Sequence, residues 1–245
     1  MKALTHNDDG TVTLWLDGEP VVLSQPRLGA DRALRDAMRT VVELQQRITD
    51  LIDAETGEPK DGHSLDDLTP VLAEREQAVL GFWRDTLLTP NGVPTPDDPP
   101  AFMVNASAFI NAASRLLTPG SGAVELNDDG TVTLNFGDAA YTLDQPRLSQ
   151  IKVLTANTGR LQRLGDESAA RRKKAGAANP KTDDDLDAQA SAIIRNTWEQ
   201  VLCRLATPEL TVDTLPAWAE NPTVLSNVMG HLRSDPTTFG ASVTD

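Results

Sequence analysis

The sequence predicts an α+β fold, mainly helical, in which a unit of one β-hairpin and three helices is written twice in tandem. Three observations predict it. First, Asn7-Asp8-Asp9-Gly10-Thr11-Val12-Thr13-Leu14 recurs as Asn127-Asp128-Asp129-Gly130-Thr131-Val132-Thr133-Leu134, and Gln25-Pro26-Arg27-Leu28 recurs as Gln145-Pro146-Arg147-Leu148. Both blocks share an offset of 120, and thirteen of the 22 positions from 7 to 28 are identical to their counterparts. Second, apolar and polar residues alternate after each Asp-Asp-Gly, the period of a strand with one buried face. Third, apolar residues then recur at helical spacing. The units are expected at 1–120 and 121–245, a repeat far longer than a solenoid module.

In the first unit, Thr11 to Leu16 is the outgoing strand. Asp17-Gly18 suits a two-residue turn that needs positive φ, and Pro20-Val21-Val22-Leu23 returns. Asp9-Gly10 punctuates the strand start. Pro26 ends the hairpin by biasing its predecessor toward extended geometry, and Leu28 is expected to pack under the sheet. A helix over Asp31–Ala54 follows, with Leu34, Met38, Val41, Leu44, Ile48 and Leu51 at helical spacing, closed by Gly57-Glu58-Pro59. A second helix over Ser64–Leu88 has Ser64 as its cap. After Pro90, Pro94, Pro96, Pro99 and Pro100, a short third helix is expected over Met103–Leu117.

The second unit repeats the order. The strand Thr131–Phe136, the turn Gly137-Asp138 and the return Tyr141-Thr142-Leu143 precede helices over Gln150–Lys174, Asp183–Ala206 and Pro222–Arg233. Leu148 is expected beneath its sheet, as Leu28 is. Beyond the hairpins the likeness weakens. Trp83 faces Trp198, Thr89-Pro90 faces Thr207-Pro208, Phe102 faces Trp218, Ser114 faces His231, and Pro119-Gly120 stands where Pro236 stands. Residues 165–183, with Arg171-Arg172-Lys173-Lys174, form a polar insert that reads as an exposed helix extension or a connector.

Composition narrows the function classes. Lys+Arg number 22 against 36 Asp+Glu, a net charge of −14, and aromatics are 4% of the chain. So acidic a chain repels phosphate backbones, and no nucleic-acid partner is expected. The single cysteine, Cys203, rules out an internal disulfide and reads as a small buried hydrophobe on a helix. No apolar run reaches the length of a membrane span, and the first residues lack the apolar core of a signal peptide. A cytosolic setting is expected.

The residues offer no reaction. His6, His63 and His231 are the three histidines, and none has a second ligand at metal spacing. Asp8-Asp9-Gly10, Asp128-Asp129-Gly130 and Asp183-Asp184-Asp185 lack the alternating ligands and distal Glu of a calcium loop, and serve turns and caps instead. There is no glycine-rich phosphate loop and no Gly-x-Ser-x-Gly elbow. No catalytic residue, cofactor or metal is therefore assigned. The repeated arginines, Arg27 and Arg147, read either as structural, pairing with nearby carboxylates or helix ends, or as a shared binding feature.

The run Val12-Thr13-Leu14-Trp15-Leu16-Asp17-Gly18-Glu19-Pro20-Val21-Val22-Leu23-Ser24-Gln25-Pro26-Arg27-Leu28, followed by a helix, resembles the opening of tail assembly proteins of tailed bacteriophages. Leu215-Pro216-Ala217-Trp218 and Met229-Gly230-His231-Leu232-Arg233-Ser234-Asp235-Pro236 resemble the end of actinobacteriophage tail assembly chaperones. The resemblance covers the hairpins and the last thirty residues, and this chain departs from it in carrying the unit twice. It implies a non-enzymatic role in virion morphogenesis, as an oligomeric or assembly-bound protein in the host cytoplasm. The implied partners are phage structural proteins: a tape-measure protein, or tail or capsid components. A permanent virion part at the tail, neck or capsid is the alternative. The candidate partner-contact residues are Arg27, Arg147, Trp15, Phe136, Trp218 and His231, with hairpin edges open to a neighbour's sheet.

Overall fold

The structure is a computed structural model that describes residues 4–16, 18–53, 56, 58–175 and 184–233. The chain forms two compact units, Met1–Ser121 and Gly122–Asp245. Each is α+β, with helices predominating over a small antiparallel sheet.

In the first unit, β1 (Leu4–His6), β2 (Val12–Leu16) and β3 (Glu19–Leu23) form a meander in that order. Leu4 pairs with Leu14, Val12 with Leu23, and Leu16 with Glu19. Period-two alternation buries Val12, Leu14 and Leu16 and turns Thr13 and Trp15 to the other face. The expected hairpin is thus a three-stranded sheet. Leu4-Thr5-His6 is too short a run to show a period, and Asp9-Gly10 links two strands instead of opening one.

The helix α1 (Arg32–Leu51) buries Leu34, Ala37, Val41, Leu44 and Ile48 as one stripe. The next, α2 (Leu65–Phe82), opens on a capping box: the Ser64 hydroxyl accepts from the Asp67 N–H, and the Asp67 carboxylate accepts from the Ser64 N–H at 2.9 Å. A π-helical turn, Trp83–Leu88, and a 3₁₀ turn, Ala101–Val104, lead to α3 (Ala106–Leu116), whose Asn105 cap accepts from the Ser107 N–H at 2.9 Å. The core joins Val12, Leu14 and Leu23 of the sheet to Leu34, Val41, Trp83, Phe109 and Leu116. Fully enclosing Phe109 contributes about 2–3 kcal/mol of transfer free energy. Ile48, Leu68 and Val71 form a separate small cluster.

In the second unit, β4 (Val124–Leu126), β5 (Val132–Phe136) and β6 (Ala139–Leu143) pair as Val124↔Leu134, Val132↔Leu143 and Phe136↔Ala139. Each pairing sits 120 residues on from one in the first sheet. The helices are α4 (Leu148–Ala175), α5 (Asp184–Gln200) and α6 (Pro222–Arg233). A fourth strand, β7 (Ala206–Thr207), follows the 3₁₀ turn Leu202–Leu205 and pairs with Thr142 and Leu143. Leu134, Leu143, Leu154, Ile194, Trp198, Trp218 and Leu225 are all fully or almost fully enclosed.

The outer sheet edges differ between the units. In a two-residue hairpin the flanking pair, here Leu16 and Glu19, exchanges both hydrogen bonds, so Pro20 and Val22 direct their backbone groups outward. Pro20 has no N–H to offer there, and the Ser24 N–H donates to Asn91 Oδ1 at 2.9 Å. In the second unit β7 covers that edge, and the Asp144 N–H donates to the Leu205 carbonyl at 3.0 Å. The β6 edge is thus covered by a strand, which corrects the expectation of an open edge there, while β3 remains the edge of its sheet. The expectations on Asp17, Ala54, Gly57, residues 176–183 and residues 234–236 fall outside the described residues.

Candidate functional site

The repeated residues brace one end of each sheet. Asn7 to Gly10 make a tight turn in which the Gly10 N–H donates to the Asn7 carbonyl at 3.2 Å. Asn7 Nδ2 donates to the hydroxyls of Thr11 and Thr13 at 2.8 and 2.9 Å. The Asp9 carboxylate accepts from the Thr11 hydroxyl at 2.6 Å and the Thr11 N–H at 2.9 Å. Asn127 repeats these bonds to Thr131 and Thr133 at 2.9 and 3.0 Å, and Asp129 repeats them to Thr131 at 2.6 and 2.9 Å. The bonds from Thr11 hold the Asp9 carboxyl below its usual range, and those from Thr131 do the same for Asp129.

The strand exits reach back to these turns. Gln25 Nε2 donates to the Thr118 carbonyl at 2.6 Å and lies where a Cβ on Gly10 would sit. Gln145 Nε2 donates to the Asp129 carbonyl at 3.3 Å. In the first unit Arg115 donates to the carbonyls of Asn7 and Asp8, and the Ser121 N–H donates to the Asp8 carbonyl at 2.7 Å. In the second, His231 Nε2 donates to the Asn127 carbonyl at 2.8 Å. Asn, Asp, Gly, Thr and Gln are therefore repeated for an internal reason: they tie a turn, a strand exit and a last helix together.

Arg27 and Arg147 have no such reason. Both are exposed, and among the described residues neither guanidinium makes a hydrogen bond or ion pair. The expected pairing with carboxylates or helix ends is not found. Leu28 is 6% exposed and packs inward, but Leu148 is 70% exposed, which corrects its expected place under the sheet. It opens α4 directly, where Leu28 is followed by a turn before α1 begins.

The other candidate contact residues separate by sheet face. Trp15 is half-buried on the outer face, opposite Pro20 and beside the exposed Val22. Phe136, one register position on, turns to the inner face. It stacks on Tyr141 at a centroid distance of 4.8 Å and meets Trp218 edge-on at 6.3 Å. Trp218 is fully enclosed and His231 is buried, which corrects both as contact residues. Trp218 occupies the 3₁₀ turn Ala217–Glu220, and His231 is aimed at the β4–β5 turn. The bulk of Trp218 serves a core otherwise poor in rings, and His231, whose place on the last helix suggests a partner-facing or capping role, meets a turn carbonyl of its own unit. Arg115 plays the part of His231 in the first unit, and no signal in the sequence marks it, because Ser114 is the residue that stands opposite His231.

No group of three His, Cys, Asp or Glu side chains able to hold a metal ion forms among the described residues. Cys203 is buried in the turn after α5, and burial, with the Glu199 charge second, pushes its thiol up to about 11. It borders a depression of about 460 Å³ that Glu199, Arg204, Thr207, Glu209 and Leu210 also line. Of the basic segment, Arg171 bridges α4 and α5, pairing with Asp185 and Glu167 at 2.7 Å each. No helix among the described residues is long and apolar enough to cross a membrane. Compared with family models, curated proteins and solved structures, the chain matches none.

Proposed function

We propose that the two units descend from one duplicated segment, and that the protein is a non-enzymatic bacteriophage assembly protein working through protein–protein contacts in tail morphogenesis. The observation that carries this reading is the division of labour within the repeated residues. Those with internal partners hold the frame, while the outer sheet faces have diverged. The first face carries Trp15, Pro20 and Val22; the second carries Asn135, Ala140 and Thr142 at the same registers. An adaptor that presents two different surfaces on one frame uses a repeat in this way, whereas a catalyst would keep a reactive set. The phage setting rests on the resemblance of the hairpins and of the segment from Leu215 to Pro236.

Co-expression with the tail tube, tape-measure and neck proteins of a tailed phage tests it. Co-purification of this chain with a tail component is the expected result. A chain that engages none of them sinks the reading. Mass spectrometry of purified particles then separates an assembly factor, absent from the virion, from a permanent part present in fixed proportion.

A further inference from the structure

One end of the second sheet carries an exposed acid and an exposed base. The β4–β5 turn and the exit of β6 share that end, because Leu126 pairs with Val132, Val132 pairs with Leu143, and Gln145 spans from the exit to the turn. Asp128 and Arg147 stand there, both exposed and, among the described residues, without a side-chain partner. Asp8 and Arg27 repeat the arrangement in the first unit.

The repetition is selective. Exposed positions of the first unit on the strand leading there have changed in the second: Val22 to Thr142 and Ser24 to Asp144. The arginine has not changed, although its backbone setting has. Arg27 begins a turn in which its carbonyl accepts from the Ala30 N–H at 3.0 Å. Arg147 immediately precedes α4, its N–H held by Gln150 Oε1 at 2.8 Å. Arginine is a poor residue there, since it offers the cap no acceptor and faces the positive end of the helix dipole. No local requirement is common to the two settings, and each exposed guanidinium is available to another molecule. At a net charge of −14 a polyanion is repelled, so a protein carboxylate is the fitting acceptor, and a planar guanidinium binds one through two parallel hydrogen bonds.

We propose that this end of the second unit is a self-association surface, where Arg147 of one copy pairs with Asp128 of another and the reciprocal pair closes the contact. A two-fold interface needs such self-complementary charge, with residue i meeting j and j meeting i. Exposed ion pairs alone hold proteins together weakly, and here two leucines add apolar area. Leu126 and Leu148, 48% and 70% exposed, adjoin the turn and the arginine. The first unit lacks them: His6 stands in place of Leu126, and Leu28 is buried. The contact is therefore assigned to the second unit.

Sedimentation velocity on the full chain, from about 1 to about 100 μM, tests this directly. A dimer is expected, with Arg147→Glu and Asp128→Arg each raising its dissociation constant about tenfold or more. One chain carrying both Arg147→Asp and Asp128→Arg regains the dimer, because both reciprocal pairs are restored in reversed sense. Circular dichroism of each variant confirms that it folds. A wild-type chain that stays monomeric across the range overturns the proposal. So does a dimer indifferent to the single changes, a swap that fails to restore it, or a dimer lost on Arg27→Glu but not on Arg147→Glu.

Discussion

His231 donates from Nε2 to the carbonyl of Asn127 at 2.8 Å, while the Gly130 N–H donates to the same oxygen at 3.0 Å. The histidine, near the end of the last helix, thereby fixes the β4–β5 turn. Arg115 does this for Asn7 in the first unit. Replacing His231 by Ala removes a buried partner and costs the second unit about 2 kcal/mol. Urea denaturation followed by tryptophan fluorescence measures it. A change below a few tenths of a kcal/mol would show the bond to be incidental.

Two of the three buried tryptophans, Trp83 and Trp198, differ in one atom's fate. Trp198 Nε1 donates to the Ala219 carbonyl at 2.9 Å, whereas Trp83 Nε1 is buried without a hydrogen-bond partner. Trp198→Phe strands a buried carbonyl and Trp83→Phe strands nothing. The first change therefore destabilises by about 1–2 kcal/mol more than the second. Paired urea titrations decide this, and equal costs would count against it.

Acid exposes the turn aspartates. Asp9 and Asp129 are both held below the ordinary 3.8 by the hydroxyl and N–H of Thr11 and Thr131. A carboxyl depressed in the folded state adds stability that is complete above 3.8 and is lost as pH falls through its folded value. Melting temperature should drop below about pH 4, and the double variant Asp9→Asn, Asp129→Asn should drop less between about pH 5 and about pH 3. An unchanged acid profile in that variant refutes the assignment.

Gly120 tolerates no side chain. A Cβ there would lie 2.3 Å from the carbonyl carbon of Asp9 and 2.5 Å from its oxygen, both backbone atoms. Gly120→Ala is expected to cost about 2–3 kcal/mol by forcing the turn away. Loss of amide protection at Gly10, read by hydrogen exchange, would locate the damage.

Cys203, with its thiol raised to about 11, is almost wholly protonated at neutral pH. Ellman's reagent should label the native chain at least about tenfold more slowly than the urea-unfolded chain. Equal rates would show the thiol to be accessible as thiolate.

Much of this fold was legible because its signals are local. Ser64 is followed by Asp67 three residues on, and that spacing alone announces the cap that forms. Pro222 to Arg233 is bounded by a proline at its start, so its limits are readable. The period of Thr11 to Leu16 yields the buried face directly. The missed elements are those defined by partners far away in sequence. Leu4-Thr5-His6 and Ala206-Thr207 become strands only because a sheet edge awaits them. Trp218 and His231 were candidates for contact because type suggests role, but burial is a tertiary property. The unpaired state of Arg27 and Arg147 is likewise invisible until the neighbouring carboxylates are placed elsewhere.

The brace in the first unit has a consequence for synthesis. The Asn7 and Asp8 carbonyls are met by Arg115 and Ser121, and Gln25 by Thr118. A nascent chain can pair its consecutive strands early, since neighbouring segments close quickly. It cannot lock their end until the last residues of the unit have been translated. Up to that moment the ribosome carries an unfastened sheet, and the final helix of the unit acts as its latch.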